Sequence, residues 1–139
     1  MPEITIRDAI SQGLREALDN DERVFIMGED VGYYGGAYAV TRGFIQEYGE
    51  RRIKDTPISE SVFVGAGIGA AMAGLKPVVE LMTINFSLLS IDQIVNHGAK
   101  IHYMSGGQFK APVIIRTVTG GGAGLAATHS QSLEGWYAT

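Results

Sequence analysis

Short apolar runs alternate along this chain with segments of helical periodicity, and this alternation constrains its fold more than any other feature. Residues 23–28, 77–82 and 112–116 are mainly apolar runs of strand length, as in strands that are covered on both faces. Helical patterns occupy much of the chain before and between them. Strands separated by helices predict an α/β fold with a doubly wound parallel sheet.

The spacing of apolar residues predicts the helices, and capping residues mark two of their starts. Thr5 followed by Asp8 predicts a cap at the start of the first helix. Ser59 is the predicted cap of a longer helix that begins near Glu60. Helices are predicted over residues 6–18, 41–48, 60–74 and 87–104, and a further one begins within 130–137.

The composition argues against several classes of function. Eleven basic and fifteen acidic side chains give the 139 residues a net charge of −4, which does not suit a nucleic-acid backbone. Cysteine is absent, so disulfides, thiolate metal sites and cysteine nucleophiles are excluded. The longest apolar stretch, Val62–Leu75, is too short to span a membrane. Since the first residues also lack the pattern of a secretory signal, we expect a cytoplasmic protein without nucleic-acid or membrane partners.

Two glycine-rich segments invite ligand-binding interpretations. In Gly65–Gly69 the third glycine comes one residue early for a dinucleotide-binding turn, and the segment fits better as a helix whose small face lets another helix or subunit approach. That small face would consist of Gly65, Gly69 and Ala73. The glycine loop over 119–124 could cradle an anion or form a surface loop. The sequence contains neither a P-loop motif nor a serine in a nucleophile elbow.

Carboxylates provide the first candidate site residues. A glutamate near a helix N-terminus is ordinarily only a favourable partner of the helix dipole. Glu60, however, opens an almost neutral helix in which the next charge is Lys76, so burial and the dipole shift its pKa in opposite directions and leave it able to exchange a proton. Glu29 and Asp30 follow the first predicted strand, where α/β sheets place ligand groups. A metal site there lacks a third ligand nearby.

Aromatic and histidine side chains provide the others. Phe86 follows the second predicted strand and suits either core packing or stacking on a ligand. His129 lies between the glycine loop and a predicted helix start, as an acid–base residue or an exposed cap. His97 and His102 do not share a helix face, and we interpret both as structural.

Seven segments, which follow one another in the same order along the chain, together resemble the beta subunits of the thiamine-diphosphate-dependent 2-oxoacid dehydrogenases. The resemblance covers the whole chain. The loop that contains Gly36-Ala37-Tyr38, and the segment Thr83–Ser87, are more similar to the family members that act on pyruvate than to those that act on branched-chain 2-oxoacids or acetoin. The resemblance implies an incomplete, transketolase-like pyrimidine-binding domain over residues 1–139, without the family's C-terminal domain. The similar segments are Met27–Val31, Gly35–Tyr38, Asp55–Glu60, Gly69–Gly74, Phe86-Ser87 with Ile91–Ile94, Tyr103–Gly107 and His129–Gln131.

The resemblance also implies roles for individual residues. Glu60 would hydrogen-bond N1′ of the aminopyrimidine of thiamine diphosphate and so promote loss of the proton from the thiazolium carbon, after which the cofactor is the electron sink for decarboxylation. Phe86 would stack on the pyrimidine ring. Glu29 and Met82 would line the same pocket. His129 would assist with the substrate or with acetyl transfer to lipoamide. The carbonyl of Val113 would help to hold a potassium ion.

An absent motif implies a partner. The family binds the diphosphate and Mg²⁺ through Gly-Asp-Gly and Asn-Asn on an alpha subunit, and neither sequence occurs here. The resemblance therefore implies a site at a subunit interface in an α₂β₂ assembly that decarboxylates pyruvate and passes acetyl to a lipoyl acetyltransferase component. Action on another 2-oxoacid or acetoin, a transketolase-like carbanion transfer and a non-catalytic assembly fragment stay open as alternatives.

Overall fold

A computed structural model describes residues 3–122 and 124–138 of the chain. It contains one sheet of four parallel strands in the order β2-β1-β3-β4. The predicted parallel α/β sheet is therefore confirmed. The strands are β1 (Val24–Gly28), β2 (Ile53–Asp55), β3 (Lys76–Glu80) and β4 (Ile114–Arg116).

Helices connect the strands, and one of the two predicted capping bonds is confirmed. The backbone N–H of Asp8 donates to Thr5 Oγ1 at 3.1 Å, as predicted. Ser59 is at the N-cap position of α3, as predicted, but its hydroxyl makes no capping bond and donates instead to the Pro57 carbonyl at 3.1 Å. The helices are α1 (Ile6–Asn20), α2 (Phe44–Tyr48), α3 (Glu60–Met72), α4 (Ser87–Asp92) and α5 (Ile101–Met104).

The predictions for the last third of the chain need correction. The helix predicted over 87–104 is interrupted by a π-helical segment, Gln93–Gly98, between α4 and α5. The helix predicted within 130–137 is absent there, and two short 3-10 turns, Ala127–His129 and Glu134–Trp136, occupy the region. The backbone of Gln131 is bonded to Asn85 and to Gly120, so it is not free to continue a helix. Ala123, in the predicted glycine loop, lies outside the described residues.

Apolar side chains form a core on each face of the sheet, as a doubly wound fold requires. Alternate residues of β1 point to opposite faces, so Ile26 joins one core and Met27 the other. Phe44 and Ile53 belong to the core beneath α1 and α2. Phe63, on α3, belongs to the opposite core.

The predicted small face of α3 is used partly within the chain. A side chain added at Gly65 would meet Gln93, and one added at Gly67 would collide with Val79 of β3. Gly69 has open space beside it. In the part of the chain that the structure describes, no helix combines the length and the apolar character needed to cross a membrane.

Candidate active site at the carboxyl edge of the sheet

Four residues form a row across the carboxyl edge of the sheet. Gly28, the last residue of β1, is paired with Asp55 of β2 on one side and with Glu80 of β3 on the other. Glu80 is in turn paired with Arg116 of β4. Parallel α/β sheets bind ligands at this edge. Here it carries two acidic side chains, Asp55 and Glu80, and one positively charged side chain, Arg116.

Glu80 and Arg116 form a buried ion pair that joins β3 to β4. Burial raises the pKa of the Glu80 carboxyl, and the Arg116 guanidinium opposes that rise. A side chain on Gly28 would collide with the Glu80 carbonyl, so glycine is required for β1 to approach β3 here. The pair therefore fixes the strand end from which Glu29 emerges.

Asp55 anchors the loop that follows β1. Its carboxylate accepts hydrogen bonds from the backbone N–H of Gly32 at 2.6 Å and of Tyr33 at 3.3 Å. Asp30 has a left-handed backbone, with φ of +56°, and its carbonyl accepts from the Gly36 N–H at 2.7 Å. The loop is thereby tied to β2 and turned back on itself directly beside Glu29.

Glu29 and Glu60 bring two buried carboxyl groups together. Their exposed fractions are 7% and 4%. Glu29 directly follows β1, and Glu60 is the first residue of α3. Burial raises the pKa of Glu29, and the negative charges of Glu60 and Asp30 raise it further. Because a second negative charge is costly so close to another in a buried site, this arrangement favours the protonated form of Glu29.

Unsatisfied oxygens mark the same edge. Among the described residues, the buried side-chain oxygens without a hydrogen-bond partner are Glu29 Oε1, Thr56 Oγ1 and Thr117 Oγ1. Each belongs to the residue directly after a strand, namely β1, β2 and β4. Buried polar atoms almost always have partners, so these three oxygens are available to ordered water or to a ligand at this edge.

Phe86 and His129 form a second contact at this edge. Their ring centroids are 5.3 Å apart and their planes make an angle of 85°, an edge-to-face arrangement. Phe86 lies in the turn after β3, and His129 ends a 3-10 turn far along the chain. Thr128 Oγ1 lies 2.8 Å from His129 Nδ1, which leaves Nε2 free of that contact. Met82, also after β3, is half-buried.

The remaining predicted residues are not brought to this edge. Val113 precedes β4 and packs against the core beneath α3, at the end of the sheet opposite Glu60. The ring of His97 is exposed, and His102 Nδ1 lies 3.0 Å from the Phe109 carbonyl oxygen, which fits the structural interpretation of both. Within residues 3–122 and 124–138, no three His, Asp or Glu side chains cluster as a metal site.

The match to known domains now decides the family. The model of the transketolase pyrimidine-binding domain matches residues 2–139. This chain belongs to that family. In this pyrimidine-binding domain, the edge that carries Glu29 and Glu60 is therefore the candidate site.

Relatives of this pyrimidine-binding domain come from animals, plants and bacteria. It is 53% identical over 135 residues to "Pyruvate dehydrogenase E1 component subunit beta, mitochondrial" of Homo sapiens. The aligned region covers 97% of this chain and 38% of that protein. It is 51% identical over 137 residues to the beta-1 subunit of Arabidopsis thaliana, with coverages of 99% and 38%. It is also 51% identical over 137 residues to the beta subunit of Rhizobium meliloti, with coverages of 99% and 30%. The chain thus spans well under half the length of these relatives.

Several functional contacts of the domain were missed by the sequence reasoning. Glu80, Arg116 and Asp55 were not among the candidates, although each is a charged residue at the end of a strand. For Glu80 that position was a usable signal, because a buried charged residue is seldom left without a partner. The partner of each, however, depends on the register between strands.

Proposed function

We propose that this chain is the cofactor-binding part of a pyruvate dehydrogenase beta subunit, which acts in oxidative decarboxylation of pyruvate and acetyl transfer to lipoamide. The names of the human, Arabidopsis and Rhizobium relatives support the proposal. The observation that carries it is that Glu29 and Glu60 are two buried carboxyl groups at the same end of the sheet, since a buried carboxyl group suits a ring nitrogen that gains and loses a proton.

The residues at this edge fit the aminopyrimidine end of thiamine diphosphate. Glu29 Oε1 is buried and receives no hydrogen bond from a described donor, so a polar group of a ligand can occupy that position. Glu60 would hold ring nitrogen N1′, Phe86 would stack on the ring, and Met82 would line the pocket. When bound, the cofactor supplies an acidic carbon and an electron sink for decarboxylation.

The proton chemistry of the chain divides between its two carboxyl groups. Because burial and neighbouring charges raise the pKa of Glu29, its carboxyl group keeps a proton to a higher pH than an exposed glutamic acid does. Glu60 would hydrogen-bond N1′, and Glu29 would lie beside it. Both groups are shielded from water, which strengthens their hydrogen bonds.

His129 is the proposed acid–base group on the substrate side. Its imidazole lies next to the proposed ring-binding residue, Phe86, at 5.3 Å between ring centroids. With Nδ1 at Thr128 Oγ1, the other ring nitrogen, Nε2, is the one that can exchange a proton with substrate or lipoamide.

An alpha subunit would complete the site. The chain contains neither Gly-Asp-Gly nor Asn-Asn, so we propose that the partner holds the diphosphate and Mg²⁺ in an α₂β₂ assembly that serves a lipoyl acetyltransferase component. Exposed apolar residues beside Glu60 support a contact there, since Ile58 is 84% exposed and Val62 67%. Burying such residues favours association.

Two finer predictions accompany this proposal. A potassium ion on the Val113 carbonyl would lie away from Glu60, and would act on stability rather than on chemistry. The human and Arabidopsis relatives are named as mitochondrial and the Rhizobium one without a compartment, so a cytoplasmic location stays a prediction to be tested by cell fractionation.

Cofactor binding tests the proposal. We expect saturable binding of thiamine diphosphate by calorimetry only when the chain is combined with an alpha subunit that carries Gly-Asp-Gly. In that assembly, Glu60→Gln should lower pyruvate decarboxylation by about 10²–10⁴-fold, the usual contribution of a general acid–base group. The matched control is Glu22→Gln, which changes an exposed glutamate and should leave activity unchanged.

The same assay separates the alternatives. Full decarboxylation by Glu60→Gln would overturn the proposed role of this residue. Turnover of acetoin or another 2-oxoacid in preference to pyruvate would assign the chain to family members that act on that substrate. Binding to the alpha subunit without any binding of thiamine diphosphate would support the alternative of a non-catalytic assembly fragment.

A further inference from the structure

Asn85 is a buried amide that the proposed function leaves without a role. Only 7% of it is exposed, and it lies in the turn between β3 and α4. Its Nδ2 donates to Thr83 Oγ1 at 2.7 Å, within the same turn. Its Oδ1 accepts from the backbone N–H of Gln131 at 3.0 Å. The second bond joins the turn to a distant segment of the chain and so fixes where that segment lies.

The segment that Asn85 contacts carries His129 on a strained turn. Ala126 has φ of +67° and ψ of −167°, a conformation that costs on the order of 1–3 kcal/mol for a residue with a side chain. The His129 N–H donates to the Ala126 carbonyl at 3.2 Å. Strained backbone persists only where surrounding contacts hold it. Asn85 provides one at the Gln131 N–H, and the Gly120 N–H donates to the Gln131 carbonyl at 3.1 Å.

His129 meets Phe86 at the point where the two segments join. Phe86 directly follows Asn85, and His129 lies two residues before Gln131. The hydrogen bond between Asn85 and Gln131 therefore joins the two segments directly beside the contact between the Phe86 and His129 rings. An edge-to-face ring pair contributes less free energy than is lost in ordering a segment of several residues, so the ring pair alone would not hold this segment in place.

We infer that Asn85 is a positioning residue that holds the His129 imidazole against Phe86 through the backbone of Gln131. The inference rests on the proposed function, in which these two rings act on substrate and cofactor. If Asn85 only satisfied its own turn through Thr83, its replacement would leave His129 in place.

Histidine NMR tests the position of the ring without reference to activity. The chain has three histidines, so labelled histidine gives three imidazole signals, and His129→Asn identifies the one of interest. Phe86→Leu removes the neighbouring aromatic ring and gives the His129 chemical shift without its ring current. We expect Asn85→Ala to move the signal most of the way to that value.

Two further variants make the test specific. Asn85→Asp keeps an acceptor oxygen for the Gln131 N–H, and should retain the wild-type His129 signal. Asn96→Ala is the matched control, because Asn96 Nδ2 bonds to Asp92 on an exposed helical turn and touches neither ring segment. It should change nothing at His129.

Turnover in the assembly with the alpha subunit completes the test. Misplacing a group that acts on substrate costs up to about 100-fold in rate, so we expect Asn85→Ala to lower kcat by about 10–100-fold, with a smaller change in the Kd for thiamine diphosphate. Loss of the His129 signature together with this fall in kcat supports the inference.

Other results would contradict specific steps. An unchanged His129 signal in Asn85→Ala overturns the positioning role, whatever the activity. A displaced signal with unchanged turnover instead overturns the proposed use of His129 in the reaction. If Asn85→Ala does not fold, hydrogen exchange at the Gln131 amide of the wild-type chain decides: slow exchange supports the bond to Asn85, and fast exchange overturns it.

Discussion

Glu29 and Glu60 are both buried and lie close enough for one carboxyl group to raise the pKa of the other, although Glu29 follows a strand and Glu60 begins a helix. Neither position is unusual alone, since helix N-termini favour acids and sheet edges favour polar groups. Two buried carboxyl groups in close proximity repel each other when both are charged, and this lowers the stability of the folded chain. Such unfavourable electrostatic interactions are common at sites where a protein binds or moves a proton.

Replacing Glu29 tests whether the two buried carboxyl groups lower the stability of the folded chain. Because the pKa of folded Glu29 is raised from 4.5, the folded chain holds a proton that the unfolded chain has lost, and the free energy of unfolding falls as the pH rises above about 4.5. Glu29→Gln should lack that fall and be more stable at pH 8 by on the order of 1 kcal/mol. Urea unfolding between pH 4 and pH 8 measures it. Glu22→Gln should follow the wild type, and a parallel slope in Glu29→Gln would contradict the assignment.

Arg116→Met should destabilise the chain strongly. Removing one partner of a buried ion pair leaves an uncompensated charge, which costs about 3–5 kcal/mol. The double variant with Glu80→Gln should recover much of the loss, because no buried charge then remains. Equilibrium denaturation of the four proteins gives the coupling energy. Additive effects would show that Glu80 and Arg116 do not form a pair in solution.

Gly28→Ala should be destabilising by about 1–3 kcal/mol, as expected for overpacking, because its methyl group would collide with the Glu80 carbonyl. Gly13→Ala is the matched control: Gly13 lies in α1 with no atom nearby, and the change should stabilise the helix by about 0.5–1 kcal/mol. Thermal unfolding reports both. A neutral Gly28→Ala would mean that β1 and β3 are farther apart than described.

Asp55→Ala should loosen the loop after β1. It removes the acceptor of the Gly32 and Tyr33 N–H groups, with an expected loss of about 1–3 kcal/mol. Tyr33 is already 72% exposed, so chymotrypsin should cleave the variant there faster than the wild type. Asp92→Ala, at an exposed helical position, should leave the cleavage rate unchanged. Equal rates for both variants would show that Asp55 does not hold the loop.

Local signals predicted the framework of the fold, because strand runs and helix periodicity are properties of neighbouring residues. The contact of Thr5 with Asp8 was predictable for that reason. The N-cap position of Ser59 was predictable in the same way, but its side-chain bond was not, because the Pro57 carbonyl accepts from the hydroxyl. The absence of a helix after His129 depends on a bond to Asn85, which no local pattern reveals.

The candidate residues were named one by one from the sequence, but their arrangement was not predicted. Glu29 and Glu60 were both candidates, yet their proximity depends on how α3 packs on the sheet. The partner of Glu80 depends on the register of β3 against β4. Such pairings arise from burial of distant apolar side chains, so they become visible only when the whole sheet is assembled.

The direct pairing of β1 with β3 limits how such a cleft can be altered. Hydrogen-bonded strands lie about 4.8 Å apart, so the separation between the ends that carry Glu29 and Met82 is set by the backbone itself. Room for a bulkier ligand therefore has to come from the loops at residues 30–41, 117–122 and 124–131. Efforts to change which ligand this edge accepts would do best to vary those loops and leave the strands alone.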